Sequence, residues 1–145
     1  MEIQIQFRRR TPGLSAAKIR RKAAALLDAL GCPSKELSIL FTDDGHIAKL
    51  NGIYRKKAGP TNVLAFPQGS PDDLFTDVLG DVVISVDTAG REAESLGEPF
   101  EITIQRLMIH GLLHLLGYDH ERSEEAAEEM EKEERRLLAM IREDN

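Results

Sequence analysis

Three of the four histidines in this 145-residue chain fall within a single run, His110-Gly-Leu-Leu-His114-Leu-Leu-Gly117-Tyr-Asp-His120. On an α-helix, residues four apart lie on one face about one turn apart, so His110 and His114 can aim their imidazoles at one point. A continuing helix would carry His120 away from them, through roughly 600° of rotation and about 9 Å of rise. Gly117 offers the alternative, because glycine tolerates the left-handed conformation that ends helices and lets the chain double back. The run therefore asks for a helix, a stop and a return. Three imidazoles brought together this way leave a fourth tetrahedral position open, the arrangement of a catalytic rather than a structural zinc.

Leu107, Ile109, Leu112, Leu113, Leu115 and Leu116 make this helix apolar nearly all round, as in a buried helix. A single histidine there would read as a core residue with a satisfied ring. Three at these intervals, with a helix-ending glycine between the second and third, read as the ligands of one metal ion: His110, His114 and His120. Neutral imidazoles favour zinc, one per chain, over iron, nickel or copper. The spacing is also that of the metzincin metalloproteases, in which a glutamate directly follows the first histidine and serves as general base. Here that position is Gly111, so a metzincin-like metallopeptidase loses its base and is the weakest reading. Asp119 has two readings: an acceptor for a ligand imidazole N–H, or a turn residue beside Gly117.

The length suits one domain over residues 1–145 with a single substantial core. The one cysteine, Cys32, excludes an intrachain disulfide and fits a reducing cytoplasm, with a packing role for the thiol. The first ten residues lack the apolar stretch of a signal peptide, and the apolar run around residues 107–117 is too short to span a bilayer. The expectation is a soluble cytoplasmic protein with no membrane partner. The net charge of −6 conceals an asymmetry: residues 1–60 hold 12 Lys and Arg against 5 Asp and Glu, and residues 61–145 hold 7 against 20. Three basic clusters stand in the first half, at Arg8-Arg9-Arg10, at Lys18-Arg20-Arg21-Lys22 and at Arg55-Lys56-Lys57. A basic face opposed by an acidic back is compatible with an RNA partner, or with two ordinary solvated faces.

Periodicity supplies the elements. Ile3, Ile5 and Phe7 alternate as in a strand, and Ser15 introduces a helix to about Leu30 before Gly31 and Pro33. Leu37, Ile39 and Phe41 alternate again, and Asp43 or Asp44 can cap a short helix reaching Tyr54. A short strand ends at Pro67, and residues 68–78 read as an exposed loop. Residues 80–86 are the strongest strand and the one expected inside the sheet. Asp87 or Thr88 can cap a helix to about Leu96, the histidine helix covers residues 100–116, and Ser123 opens a last amphipathic helix. The fold class is α+β: one sheet of about four strands covered by about five helices, with the metal site at the end of a buried helix.

The histidine run resembles the signature of the bacterial YbeY family. So do Leu50-Asn-Gly-Ile-Tyr-Arg-Lys-Lys57, Pro60-Thr-Asn-Val-Leu-Ala-Phe-Pro67 and Leu79-Gly-Asp-Val-Val-Ile-Ser85, and the four blocks stand in the family's order. The resemblance implies a zinc-dependent endoribonuclease directed at single strands. It also implies action in ribosomal RNA maturation, at the 3′ end of the small-subunit RNA, and in ribosome quality control. Asn62 stands where the family commonly has aspartate, and Ala65 where serine is common.

The family's functional arginine corresponds to Arg55. A guanidinium presents a planar fork of donors that matches phosphate oxygens, so Arg55 can stabilise the charge developed in phosphodiester cleavage. Lys56 and Lys57 are either grips on flanking backbone or solvated charges. The competing reading is a non-catalytic, metal-stabilised ribosome-assembly module. His46 is expected to be a surface or capping residue.

Overall fold

The computed structural model describes residues 2–68 and 77–142. Alternating apolar residues form β1 (Ile3–Phe7) and β2 (Glu36–Thr42). The strand before Pro67 is β3 (Val63–Pro67), and the β-branched run falls in β4 (Val78–Ser85). The four make one sheet in the order β1-β2-β4-β3, with β3 antiparallel to β4 and the other pairs parallel. β4 is therefore internal, as its composition requires. Parallel neighbours need crossover helices, and α1 (Ala16–Ala29) supplies the one between β1 and β2.

α2 (Asp44–Leu50), α3 (Val86–Leu96), α4 (Phe100–Leu115) and α5 (Glu124–Arg142) complete the chain. One face of the sheet, carrying Leu37, Ile39, Phe41, Val82 and Ile84, builds the main core with α1, α3, α4 and α5. α4 runs through this core, with Ile109, Leu112 and Leu113 fully buried. On the other face Ile47 of α2 packs with Leu64 and Val83 over a smaller area. Cys32 packs against the main core, and burial raises its thiol pKa above the ordinary value.

Three boundaries differ from those expected of the sequence. The helix begun at Asp43, whose carboxylate accepts from the His46 N–H, does not run on regularly to Tyr54. It ends at Leu50 and passes into a single π-helical turn, Asn51–Arg55. The reason is Asn51, which is buried: its carbonyl accepts from the Lys56 N–H five residues on, and its side-chain amide donates to the Gly59 carbonyl at 3.0 Å. α3 is capped by Ser85, whose Oγ accepts from the Thr88 N–H at 3.2 Å, and not by Asp87 or Thr88. Val78 belongs to β4, while the rest of the expected loop after Gln68 lies largely outside the described residues.

The second basic cluster is partly structural. Lys22 is 3% exposed and donates to the Ile141 carbonyl, tying α1 to the end of α5. Arg20 donates to the Ile3 carbonyl at 3.2 Å, and Lys18 pairs with Glu101. No helix among the described residues is long and apolar enough to cross a membrane.

Asp44 joins β4, α2 and α3. It accepts from Ser85 Oγ at 2.7 Å, Thr88 Oγ1 at 2.6 Å and Arg91 Nη2 at 2.7 Å. Burial pushes its carboxyl up, but the hydrogen bonds from Thr88, Ser85 and Arg91 together outweigh it and hold the pKa below the ordinary 3.8. A carboxylate depressed in the folded state stabilises at all pH values above 3.8 and loses that stabilisation as the pH falls through its lower folded value. Asp44→Ala, which strands the Ser85 hydroxyl in the interior, should lower stability at pH 7 by about 1–3 kcal/mol. Its urea-unfolding stability should also fall less steeply than wild type's below pH 4 (roughly the ordinary carboxylate range). Equal stability of the two chains at pH 7 would show that the network contributes nothing.

Candidate metal centre

The site is built at the C-terminal end of α4. The helix closes at Leu116, and Gly117 takes a positive φ of 96°. The Tyr118 N–H returns to the Leu113 carbonyl at 3.1 Å and the Gly117 N–H to the His114 carbonyl at 3.0 Å. This pair of bonds is a Schellman cap, the stop expected of the glycine. It folds residues 118–120 back over the last turn, so the His120 ring lies 5.5 Å from His110 and 5.4 Å from His114, centroid to centroid. One ring nitrogen from each of the three histidines falls within 4.8 Å of the others.

The donor set fits a metal ion. His110 Nδ1 lies 3.1 Å from Glu134 Oε1, and a carboxylate can only accept, so Nδ1 carries the proton. In the neutral ring Nε2 is then a lone-pair donor, and it faces His114 Nε2 at 3.1 Å. Ligand nitrogens about 2.0–2.1 Å from a tetrahedral zinc are themselves roughly 3.3–3.4 Å apart. With the His114 proton on Nδ1 the two Nε2 lone pairs share a cation at this distance; with it on Nε2, His114 donates to His110. Burial, followed by His110 and His120, pushes the His114 pKa below its ordinary 6.5, against a backbone hydrogen bond with Tyr118 and the charge of Asp119. The neutral imidazole thus favoured is the metal-binding form.

Glu134 was not legible in the sequence as part of the site. It is one of many glutamates on α5, and only the packing of α5 against α4 singles it out. Asp119 takes the turn role, its Oδ1 accepting from the Glu121 N–H at 2.9 Å. His46 lies in α2 and its Nδ1 is 3.0 Å from Thr42 Oγ1, apart from the other histidines.

The three histidines open into a cleft of about 590 Å³ between the end of α4, β3 and the turn after α2. Arg55 and Lys57 line the same cleft, so the π turn brings the sequence-predicted arginine to the histidines; Lys56 is not among the lining residues. Lys56 instead adopts a left-handed φ of 55° that turns the chain out of the helix. On the opposite wall Asn62 spans two elements: its Oδ1 accepts from the Val63 N–H and its amide donates to Glu92 Oε1, both at 2.7 Å. An aspartate here would face the Glu92 carboxylate with no proton to donate, so the amide suits this wall. Ala65 lines the cleft without a polar atom.

Gly111 explains itself by contact. A Cβ built there would lie 2.7 Å from Val82 Cγ1 and 3.1 Å from Val63 Cγ2. α4 lies so close to the sheet here that any side chain would have to displace Val82 or lift the helix, so the zincin glutamate has no room as the elements are packed, and the metallopeptidase reading is set aside.

A mixed four-stranded sheet, a buried helix ending in converging histidines and a guanidinium across an open cleft define a small α+β domain with a site fit for a metal ion. The family model described as Endoribonuclease YbeY matches residues 4–142, and the chain belongs to that family. An Endoribonuclease YbeY of Geobacter sulfurreducens is 45% identical over 144 residues, covering 97% of this chain and 96% of the relative. One from Aquifex aeolicus is 46% identical over 124 residues, covering 86% and 82%. The solution structure of TM1509 from Thermotoga maritima matches with a TM-score of 0.67 at 23% identity, over 96% of this chain and 88% of that one, and shares the fold. The chain is thus an endoribonuclease by family, with RNA as the substrate class.

Gly111→Ala should destabilise the protein by about 1–3 kcal/mol through overpacking against Val82 and Val63. The paired variant Gly111→Ala/Val82→Ala should recover part of the loss, read from urea midpoints. Full stability of the single variant would show that the helix can withdraw from the sheet at no cost.

Proposed function

We propose that this chain is a zinc-dependent endoribonuclease that cuts single-stranded RNA, in the cytoplasm, during maturation of the small-subunit ribosomal RNA 3′ end and in ribosome quality control. The observation that carries the reading is the meeting of three histidines and one arginine, from separate parts of the chain, around one cleft. His110, His114 and His120 would hold the zinc. Bound there, zinc supplies a Lewis acid that polarises a phosphoryl oxygen.

The chain's own residues do the rest. Glu134 fixes the tautomer and orientation of His110, and such outer partners strengthen a ligand set. Arg55 is exposed at the cleft, where its fork can donate to the non-bridging oxygens of the scissile phosphate and stabilise charge gained in the transition state. Lys57 offers a point charge to a neighbouring phosphate.

The test is cleavage of single-stranded ribosomal RNA by wild type, His114→Ala and Arg55→Ala, with zinc measured on each sample. His114→Ala should lose both zinc and cleavage while remaining folded. Arg55→Ala should keep its zinc and cut about 100-fold more slowly, the effect of removing one donor to developing charge. Equal cutting by all three would move the activity away from this cleft. An uncut RNA with zinc-dependent folding would favour the assembly-module reading.

A further inference from the structure

A second groove, of about 480 Å³, lies on the face of the sheet that α2 covers only in part. Its floor is set by strand alternation. Ser38 of β2 pairs with Asp81 of β4, and Asp81 pairs with Phe66 of β3, so these three share a face. Gln6, in register with Leu40, stands on the same face of β1. The groove is completed by Gln68 and by Tyr54 from the π turn.

Its chemistry is mixed in a particular way. Tyr54 is 64% exposed, yet its ring is braced edge-on against Phe66, with centroids 5.2 Å apart and planes at 68°. Ile53 beside it is 66% exposed. An exposed aromatic ring held at a fixed tilt offers a free π face for a nucleobase. The amide, hydroxyl and carboxylate groups of Gln6, Ser38, Gln68 and Asp81 are the partners that base edges require. Positive charge lies near the groove, though none among the described residues lines it. Arg8 and Lys49 lie close enough to act on the His46 ring that lines it, though Asp43 opposes them. Arg55 and Lys57 follow Tyr54 in the chain and line the histidine cleft.

The groove and the histidine cleft lie on opposite faces of β3, the edge strand of the sheet. Tyr54 lines the groove and Arg55 the cleft; in β3 Phe66 lines the groove, while Ala65 and Pro67 line the cleft. β3 is a wall one strand thick between the two. We propose that the open face of the sheet binds the single-stranded RNA leading away from the histidine cleft, with a base stacked on Tyr54 and the backbone crossing Arg55 and Lys57. This rests on the ribonuclease reading and deepens it. A base can reach the Tyr54 ring only when it is unpaired, so the face selects single strands before any chemistry occurs.

The test is equilibrium binding of uncut 2′-O-methyl RNA to the full chain, with single strands of about twelve and about four nucleotides and the longer one also as a duplex. Variants are Tyr54→Ala, Tyr54→Phe and Gln6→Glu; Gln6 is exposed on β1, away from the π turn. Tyr54→Ala should bind the long single strand about tenfold more weakly and the short one as wild type does, while Tyr54→Phe keeps wild-type affinity. Gln6→Glu should weaken the long strand several-fold, and the duplex should be indifferent to all three. Unchanged long-strand affinity in both Tyr54→Ala and Gln6→Glu would overturn the proposal and leave the face to a protein partner. Equal losses for short and long strands would also overturn it, by showing that Tyr54 acts only through Arg55. Wild type that binds no single strand would remove the ribonuclease reading together with this one.

Discussion

The closeness of α4 to the sheet at Gly111 decides where everything else can stand. With hydrogen in place of a side chain, the helix axis drops toward Val82 and Val63 until the valine methyls fill the space a Cβ would need. His110 precedes this contact directly and His114 follows it by less than a turn, so both rings emerge beside β3. Their rings therefore share a cleft with Asn62 and Ala65 and stay clear of the deep core. A bulkier residue at 111 would lift the helix and with it the histidine pair.

Two local departures from regular helix then finish the site. The glycine cap after α4 reverses the chain within three residues and delivers His120. The π turn after α2, held by the buried Asn51, delivers Arg55 to the cleft and Tyr54 to the opposite groove. Both exploit backbone geometry outside the α-helical norm, at positive φ for Gly117 and Lys56. Such geometry persists only when surrounding contacts hold it, and it recurs at functional sites.

Sequence pattern carried the fold far, for a physical reason: the strands alternate cleanly and the helices carry caps and stops that act locally. Ser15, Asp43, Gly31 and Gly117 each do what their chemistry predicts at the positions expected of them. The histidine cluster was legible because two ligands sit on one helix and the third follows a local turn. Glu134 and the wall at Asn62 were not, since each depends on which helix packs beside it, and spacing holds no information about that. The π turn was missed because its cause, the burial of Asn51, is a tertiary event. Charge counts leave the second basic cluster as either an RNA-facing surface or a solvated face, whereas Arg20 and Lys22 bind backbone carbonyls of β1 and α5, a role set by packing.

Three imidazoles converge where one metal ion would sit, and of the three His120 depends wholly on the return at Gly117. Zinc content and X-ray absorption of the purified chain, beside His120→Ala, would settle the matter. The wild-type chain should carry one zinc with three nitrogen neighbours about 2.0–2.1 Å away, and the variant should stay folded and retain zinc far more weakly. A His120→Ala variant that holds zinc as tightly, with an unchanged spectrum, would contradict this arrangement.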